Sequence, residues 1–187
     1  MMSTKSSNCC SGVFRDGQTN CCSRDSADST IRIDFLYIDL TTCDRCLDTD
    51  TSLTEAIHEV ENLLKSAGHT IELRKILVET EDRAEQLGFV SSPTIRINGC
   101  DIQLQTKESL CGCCGEIAGE DIDCRVWVWK EQEYTTPPKA MLIDAILRHV
   151  YGKGQGDRTK HTVNPVPDNL KRFFKGKLRK NSNRELE

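Results

Sequence analysis

The run Ile31-Arg-Ile-Asp-Phe-Leu-Tyr-Ile-Asp-Leu40 constrains this chain more than any other stretch. It begins by alternating apolar and polar residues and then becomes largely apolar, as a strand does when it passes into the middle of a sheet covered on both faces. After Cys43-Asp-Arg-Cys46, the residues Leu53, Ala56, Ile57, Val60, Leu63, Leu64 and Ala67 recur at spacings of three and four. That is the single apolar stripe of an amphipathic helix, and Gly68 ends it. His69 to Glu79, with Ile71, Leu73, Ile76 and Val78, reads as a second strand. Strand, helix, strand implies a parallel pair joined by a right-handed crossover, and so an α/β protein with a central mixed sheet flanked by helices.

Local signals refine this outline. Ser52 with Glu55 three residues later has the form of a capping box and predicts a helix start near Ser52. A short helical turn through Ala84 and Leu87 closes at Gly88. Ser91-Ser92-Pro93 leads into Thr94–Ile97, and Asn98-Gly99 predicts a tight hairpin turn before Cys100–Leu104. Residues 106–124 break the pattern with Gly and Cys and read as a Cys-rich inserted loop before the last helix. Arg125-Val-Trp-Val-Trp129 alternates again, and Lys130 to Tyr134 has the length to turn and return as a further strand. The last helix follows Pro137-Pro138, with Met141, Leu142, Ala145, Ile146 and Val150 as its stripe and Gly152 as its stop. Three parts result: a disordered arm over 1–29, a domain over 30–151, and a basic tail over 152–187. Within the tail, Asp168 to Lys180 has the pattern of a short basic helix with Leu170, Phe173 and Phe174 on one side.

Composition excludes several classes. No apolar run approaches the ~18 residues of a membrane-spanning helix. The first thirty residues hold no apolar stretch of the ~7 to 15 residues that a secretory signal uses, so the chain reads as cytoplasmic. Residues 152–187 carry 10 Lys+Arg against 4 Asp+Glu, leaving 15 against 25 in residues 1–151. An acidic body is a poor phosphate binder, so nucleic acid is not an expected partner, and the tail is expected to dock on the body. The four histidines share no spacing that suggests a triad, and no phosphate-cradling glycine loop is present.

Eleven cysteines in 187 residues are many for a protein of a reducing compartment, and most are clustered. Cys43 and Cys46 are the first cluster within the domain. Cys111, Cys113 and Cys114, with Cys124 downstream, form the second, and they carry enough sulfur for a three- or four-thiolate metal site, with Cys100 as a further candidate to complete it. Gly112 and Gly115 would permit the tight turns that such ligation asks of the backbone. No histidine lies nearby, so the ligands would be all sulfur, which suits zinc or another thiophilic ion. A disulfide that staples the insertion, or a second dithiol relaying electrons to the first, fits the same residues. The arm pairs Cys9-Cys10 and Cys21-Cys22 are poorly placed to bridge within a pair and suit soft ions such as arsenite, mercury or copper(I). Such pairs resemble those of arsenite metallochaperones, although the rest of the chain does not.

The order strand, Cys-x-x-Cys, helix, strand, helix, then Pro before a hairpin and a final helix, resembles thioredoxin-like domains over about residues 31–151. A closer pattern comprises Cys43-Asp-Arg-Cys46 with Thr49, Ile97-Asn98-Gly99, Ser109-x-Cys111-x-x-Cys114, Cys124-Arg125, and a helix after Pro138 with Ala145-Ile146-Leu147. It resembles the uncharacterised thioredoxin-like family named domain of unknown function 2703. The thioredoxin resemblance implies that Cys43 attacks, Cys46 resolves, and Ser92-Pro93-Thr94 holds an extended substrate.

Two functions therefore stand at the level of sequence. One is a thiol-disulfide oxidoreductase acting through Cys43 and Cys46, without a cofactor, on a disulfide-containing protein or a small thiol. Arg45 and a nearby helix start would favour the Cys43 thiolate, while a helix beginning only at Ser52, with Asp44, Asp48 and Asp50 close by, would oppose it. The other is a non-enzymatic protein that binds zinc, arsenite or mercury through thiolates.

Overall fold

The computed structural model of the protein describes residues 29–152 and 165–184. The arm pairs Cys9-Cys10 and Cys21-Cys22 lie outside them.

The described residues form a mixed α/β structure of two sheets and five helices. Strand β1 (Ser29–Tyr37) lies inside a four-stranded sheet of order β2-β1-β3-β4. It runs parallel to β2 (His69–Leu77), with Ile33 opposite Leu73, and antiparallel to β3 (Thr94–Ile97), with Ile33 opposite Ile97. Helix α1 (Asp44–Ser66) makes the crossover from β1 to β2, and α2 (Glu81–Leu87) follows. Asn98 and Gly99 adopt φ of 48° and 86°, the two left-handed positions that a two-residue hairpin turn demands, and lead into β4 (Cys100–Asp101). That strand is shorter than expected: the backbone turns after Asp101, whose carboxylate accepts from Gln103 N and from Arg125.

Residues 106–124 depart from the expected loop. They form β5 (Lys107–Leu110), α3 (Gly112–Ala118) and the start of β6 (Asp123–Trp129). With β7 (Gln132–Tyr134), these strands make a second, antiparallel sheet of order β5-β6-β7. Gly112 and Gly115 lie inside the helix rather than in tight turns, so the expected role for them does not hold. Their presence hid a helix whose apolar content is only Ile117, Ala118 and the cysteines.

The described residues pack around two cores. In the first, Ile31, Ile33 and Phe35 of β1 meet Leu53, Ala56, Val60 and Leu64 of α1 and Met141, Leu142 and Ile146 of α4 (Lys139–Tyr151). These are the stripes that helical periodicity predicts. In the second, Leu36, Ile38 and Val78 meet five cysteines, Ala118, Ile122, and Leu170, Phe173 and Phe174 of α5 (Asp168–Arg184). Helix α5 crosses α3 so closely that a Cβ on Gly176 would stand 2.2 Å from the carbonyl oxygen of Ala118. Only a glycine permits that approach. Asn169 secures the same helix by accepting from Asp123 N at 3.0 Å and donating to Asp123 O at 2.7 Å.

Arg125 is fully buried on β6 and pairs through both terminal nitrogens with Asp101, joining the second sheet to β4. Its backbone N donates to Ser92 O at 2.7 Å, so the segment before β3 is tied to β6 as well. No helix among the described residues is long and apolar enough to cross a membrane.

Candidate metal centre

The first turn of α1 begins at Asp44, eight residues before Ser52, with Cys43 as its N-cap. The capping-box expectation fails because the Ser52 hydroxyl is committed elsewhere: it donates to Pro137 O at 2.7 Å and ties α1 to the entrance of α4. Thr51 and Thr54 likewise bond back to the carbonyls four residues earlier, a mid-helix habit of hydroxyl side chains. The true helix start is built by Asp39, whose Oδ1 accepts from Thr41 N, Thr42 N and Cys43 N at 2.9, 2.6 and 3.1 Å. Cys43 O then accepts the first helical bonds, from Cys46 N and Leu47 N.

The same device recurs on α3. Cys111 is its N-cap and Cys114 lies three residues on, as Cys46 does after Cys43. An N-cap side chain and the side chain three positions later approach each other across the first turn. Arg45 docks the two helix starts: Nη1 donates to Ser109 O at 3.2 Å and Cys124 O at 3.1 Å, and Nη2 to Leu110 O at 2.7 Å. One planar guanidinium thus fixes α1 against the chain on either side of Cys111 and Cys124.

The result is a group of four thiols. The sulfurs of Cys43, Cys111, Cys114 and Cys124 all lie within 4.8 Å of one another, and all four residues are buried. Cys114 Sγ donates to Cys43 Sγ at 3.5 Å, and Cys124 Sγ to Cys114 Sγ at 3.3 Å. The Cys43 thiol is pushed far below the ordinary thiol range because Cys111, then Cys114, Cys124 and Cys46, hydrogen-bond to it, against the opposing effect of burial. Cys111 is lowered to about 7, chiefly by Cys114 and Cys124. Cys114 and Cys124 are pushed up, each mainly by its hydrogen bond with Cys111. The group therefore favours negative charge on Cys43 first and Cys111 next, against Cys114 and Cys124, which favour their protonated form.

Cys113, expected with the metal cluster, is not in this set. Its position after Cys111 turns it to the outer side of α3, where it is half-buried and its Sγ donates to Asp44 Oδ2 at 3.4 Å. Cys100 is half-buried on β4 and also lies outside the set. Cys43 takes the place that sequence gave to Cys113. Its membership has no signal in local spacing, being separated from Cys114 by 71 residues. The signal that did exist was the repeated Cys-x-x-Cys, at 43/46 and at 111/114.

Cys46 is fully buried beside Cys43, with Sγ 3.5 Å from Ser92 Oγ. Its thiol is pushed up by the hydrogen bond with Cys43, then by burial. Ser92, Pro93 and Thr94 are brought to this side of the site but are themselves buried. The Ser92–Pro93 peptide is cis. Ser92 Oγ accepts from Ile38 N at 3.3 Å, Thr94 Oγ1 donates to Ser91 O at 2.7 Å, and Thr94 is paired with Leu36 in the sheet.

A mixed α/β protein with a buried centre of four cysteines is the class that fold and geometry define. The model of the family described as domain of unknown function (DUF2703) matches residues 31–146, and the chain belongs to that family. The match spans β1 to α4 and so takes in all four sulfurs. No curated protein and no solved structure matches the chain.

Proposed function

We propose that this protein binds a thiophilic metal or metalloid ion, zinc best among them, through Cys43, Cys111, Cys114 and Cys124. The observation that carries the reading is the four-sulfur group itself, buried and closed within 4.8 Å. A tetrahedron of sulfurs around zinc, with Zn–S of about 2.3 Å, has S···S edges of about 3.8 Å. The contacts of 3.3 and 3.5 Å already fall near that length, so an ion needs only small outward movements. The donors are all thiols, with no carboxylate or imidazole in the set, which is the soft ligand chemistry of zinc and of heavier thiophilic ions. Burial on every side leaves no open coordination position and favours an ion that is retained over one that performs catalysis.

Thiol-disulfide exchange through Cys43 and Cys46 is the competing reading. It is supported by their adjacency at a helix N-terminus, a setting that favours a thiolate. Exchange also requires an attacking sulfur that a partner reaches, and Cys43 and Cys46 are both 0% exposed. The polar groups of Ser92 and Thr94 that would hold a substrate strand are satisfied inside the protein. We therefore place the metal reading first.

The finer fold assignment, thioredoxin-like, is supported by the sheet order β2-β1-β3-β4 and by Cys43 opening the helix after β1. The β5-β6-β7 sheet and α3 are then additions that bring the other three sulfurs to that helix. A reducing compartment such as the cytoplasm would keep these thiols free to bind.

The test is metal content and free-thiol count on protein purified without oxygen. One zinc per chain is expected, lost in Cys114→Ser and Cys124→Ser and kept in Cys113→Ser. Protein that carries no ion and ignores added zinc, cadmium and arsenite would overturn the reading.

A further inference from the structure

Among the described residues, five cysteines are buried, and the four-sulfur set uses four of them. Cys46 is the one left over. It stands three residues after Cys43, the N-cap of α1, across the first turn of that helix, where an N-cap side chain and the third side chain after it face the same end. Cys43 and Cys46 are packed in the same buried cluster. On its other side Cys46 meets Ser92 Oγ at 3.5 Å, away from Cys111 and Cys124. Cys43 is thus shared between two arrangements: a ligand in a set of four, and one half of a Cys-x-x-Cys pair.

Those arrangements exclude each other. A sulfur in a disulfide has no charge to offer an ion, and three thiolates leave zinc one donor short of its closed tetrahedral set. Within the set, every sulfur would be bound to the ion. Cys46 would remain an unligated thiol three residues from one of the ligands. Because neither Cys43 nor Cys46 is exposed, the oxidant must be small; a protein disulfide could not enter.

Resting on the metal-binding reading, we propose that Cys46 is a release thiol: oxidation by hydrogen peroxide joins it to Cys43 and frees the ion. In the first step the Cys43 thiolate attacks one peroxide oxygen, the O–O bond breaks, and hydroxide leaves, giving Cys43 sulfenic acid. In the second the Cys46 sulfur attacks the Cys43 sulfur, the S–O bond breaks, and the departing hydroxide takes the Cys46 proton as water. Two sulfurs lose two electrons in forming one S–S bond, and peroxide becomes water and hydroxide. Cys111, Cys114 and Cys124 are left as a three-thiolate remnant with weaker hold on zinc. A small-molecule thiol, subject to the same size limit as the oxidant, reverses the step by thiol-disulfide exchange.

The experiment loads full-length protein with zinc anaerobically, adds hydrogen peroxide, follows free zinc with a chromophoric chelator, and maps the new disulfide by mass spectrometry. In the wild type, zinc release is expected to coincide with a Cys43–Cys46 bridge and to reverse with dithiothreitol. Cys46→Ser and Cys46→Ala should each still hold one zinc and release it at least tenfold more slowly. Release at the wild-type rate from either zinc-loaded variant would overturn the proposal and leave the metal reading standing. The same holds for a wild-type bridge that leaves Cys46 free, including one between Cys43 and Cys114, a result that needs no variant to fold. Loss of zinc from both variants while the wild type keeps it would make Cys46 a ligand, which also overturns the proposal. A wild type that never takes zinc removes the metal reading and this inference together.

Discussion

The two cores are built by different rules. The aliphatic core between β1, α1 and α4 draws its members from regular stripes: Leu53, Ala56, Val60 and Leu64 on one helix, Met141, Leu142 and Ile146 on another, and Ile31, Ile33 and Phe35 at every second position of a strand. Any apolar side chain of similar volume at those positions would keep the pattern. The thiol core takes its sulfurs from the starts of two helices and from a strand, and closes them with α5 from the end of the chain. Its positions are set by caps and clamps rather than by period. The first core holds the fold; the second collects chemistry that the fold alone does not require.

Breaking that contrast begins at the sulfurs. Cys124→Ser or Cys43→Ser should lower zinc affinity about a hundredfold, which corresponds to about 2.7 kcal/mol of binding free energy. Competition with a chelator of known affinity measures it. The far-ultraviolet circular dichroism of the metal-loaded fold should change little. Next come the apolar anchors. Phe173→Ala removes a fully buried ring from the thiol core and should cost about 3–5 kcal/mol, while Leu53→Ala in the other core should cost about 2–5 kcal/mol. Denaturant melts of both variants give the cost, and only Phe173→Ala should also weaken zinc. Equal loss of zinc in both would show that the two cores are one cooperative unit.

Arg45→Ala is a smaller perturbation. It leaves three carbonyls without their charged donor, a loss of about 1.5–3 kcal/mol for each well-formed bond to a charged group, reduced here because water replaces part of it at a half-exposed side chain. Zinc affinity should fall about tenfold, and Arg45→Lys should not restore it, because an ammonium cannot span three carbonyls as a planar fork does. Acidity adds a further sharpening. Cys111, lowered to about 7, gains its proton as pH falls through that value, and an ion can bind only the deprotonated set. Zinc affinity should therefore fall as pH falls, because Cys114 and Cys124 must give up protons to bind, and fall more steeply below about pH 7, where Cys111 is protonated as well; calorimetry in buffers of different ionisation enthalpy should show proton release on binding. The weakest effect is expected at Cys113, whose replacement by Ser should leave zinc content unchanged.

The same contrast explains what the sequence made legible. The stripe over Leu53–Ala67, the parallel β1–β2 pair and the Asn98-Gly99 hairpin were readable because each is a local pattern with one geometric solution. The start of α1 was not, because Ser52 and Glu55 mimic a cap while Asp39, thirteen residues upstream of Ser52, makes the real one. Helix α3 was hidden by glycines that normally break helices. The thiol cluster was half legible: Cys111, Cys114 and Cys124 lie close in sequence, but the fourth sulfur depends on Arg45 reaching carbonyls 64 to 79 residues away. Periodicity carries no record of such a contact.

Zinc-edge X-ray absorption on the metal-loaded protein tests the centre most directly. Four sulfur neighbours at about 2.3 Å, with no nitrogen or oxygen in the shell, is the predicted result. A mixed shell of sulfur with nitrogen or oxygen, or protein that takes up no zinc to measure, would contradict it.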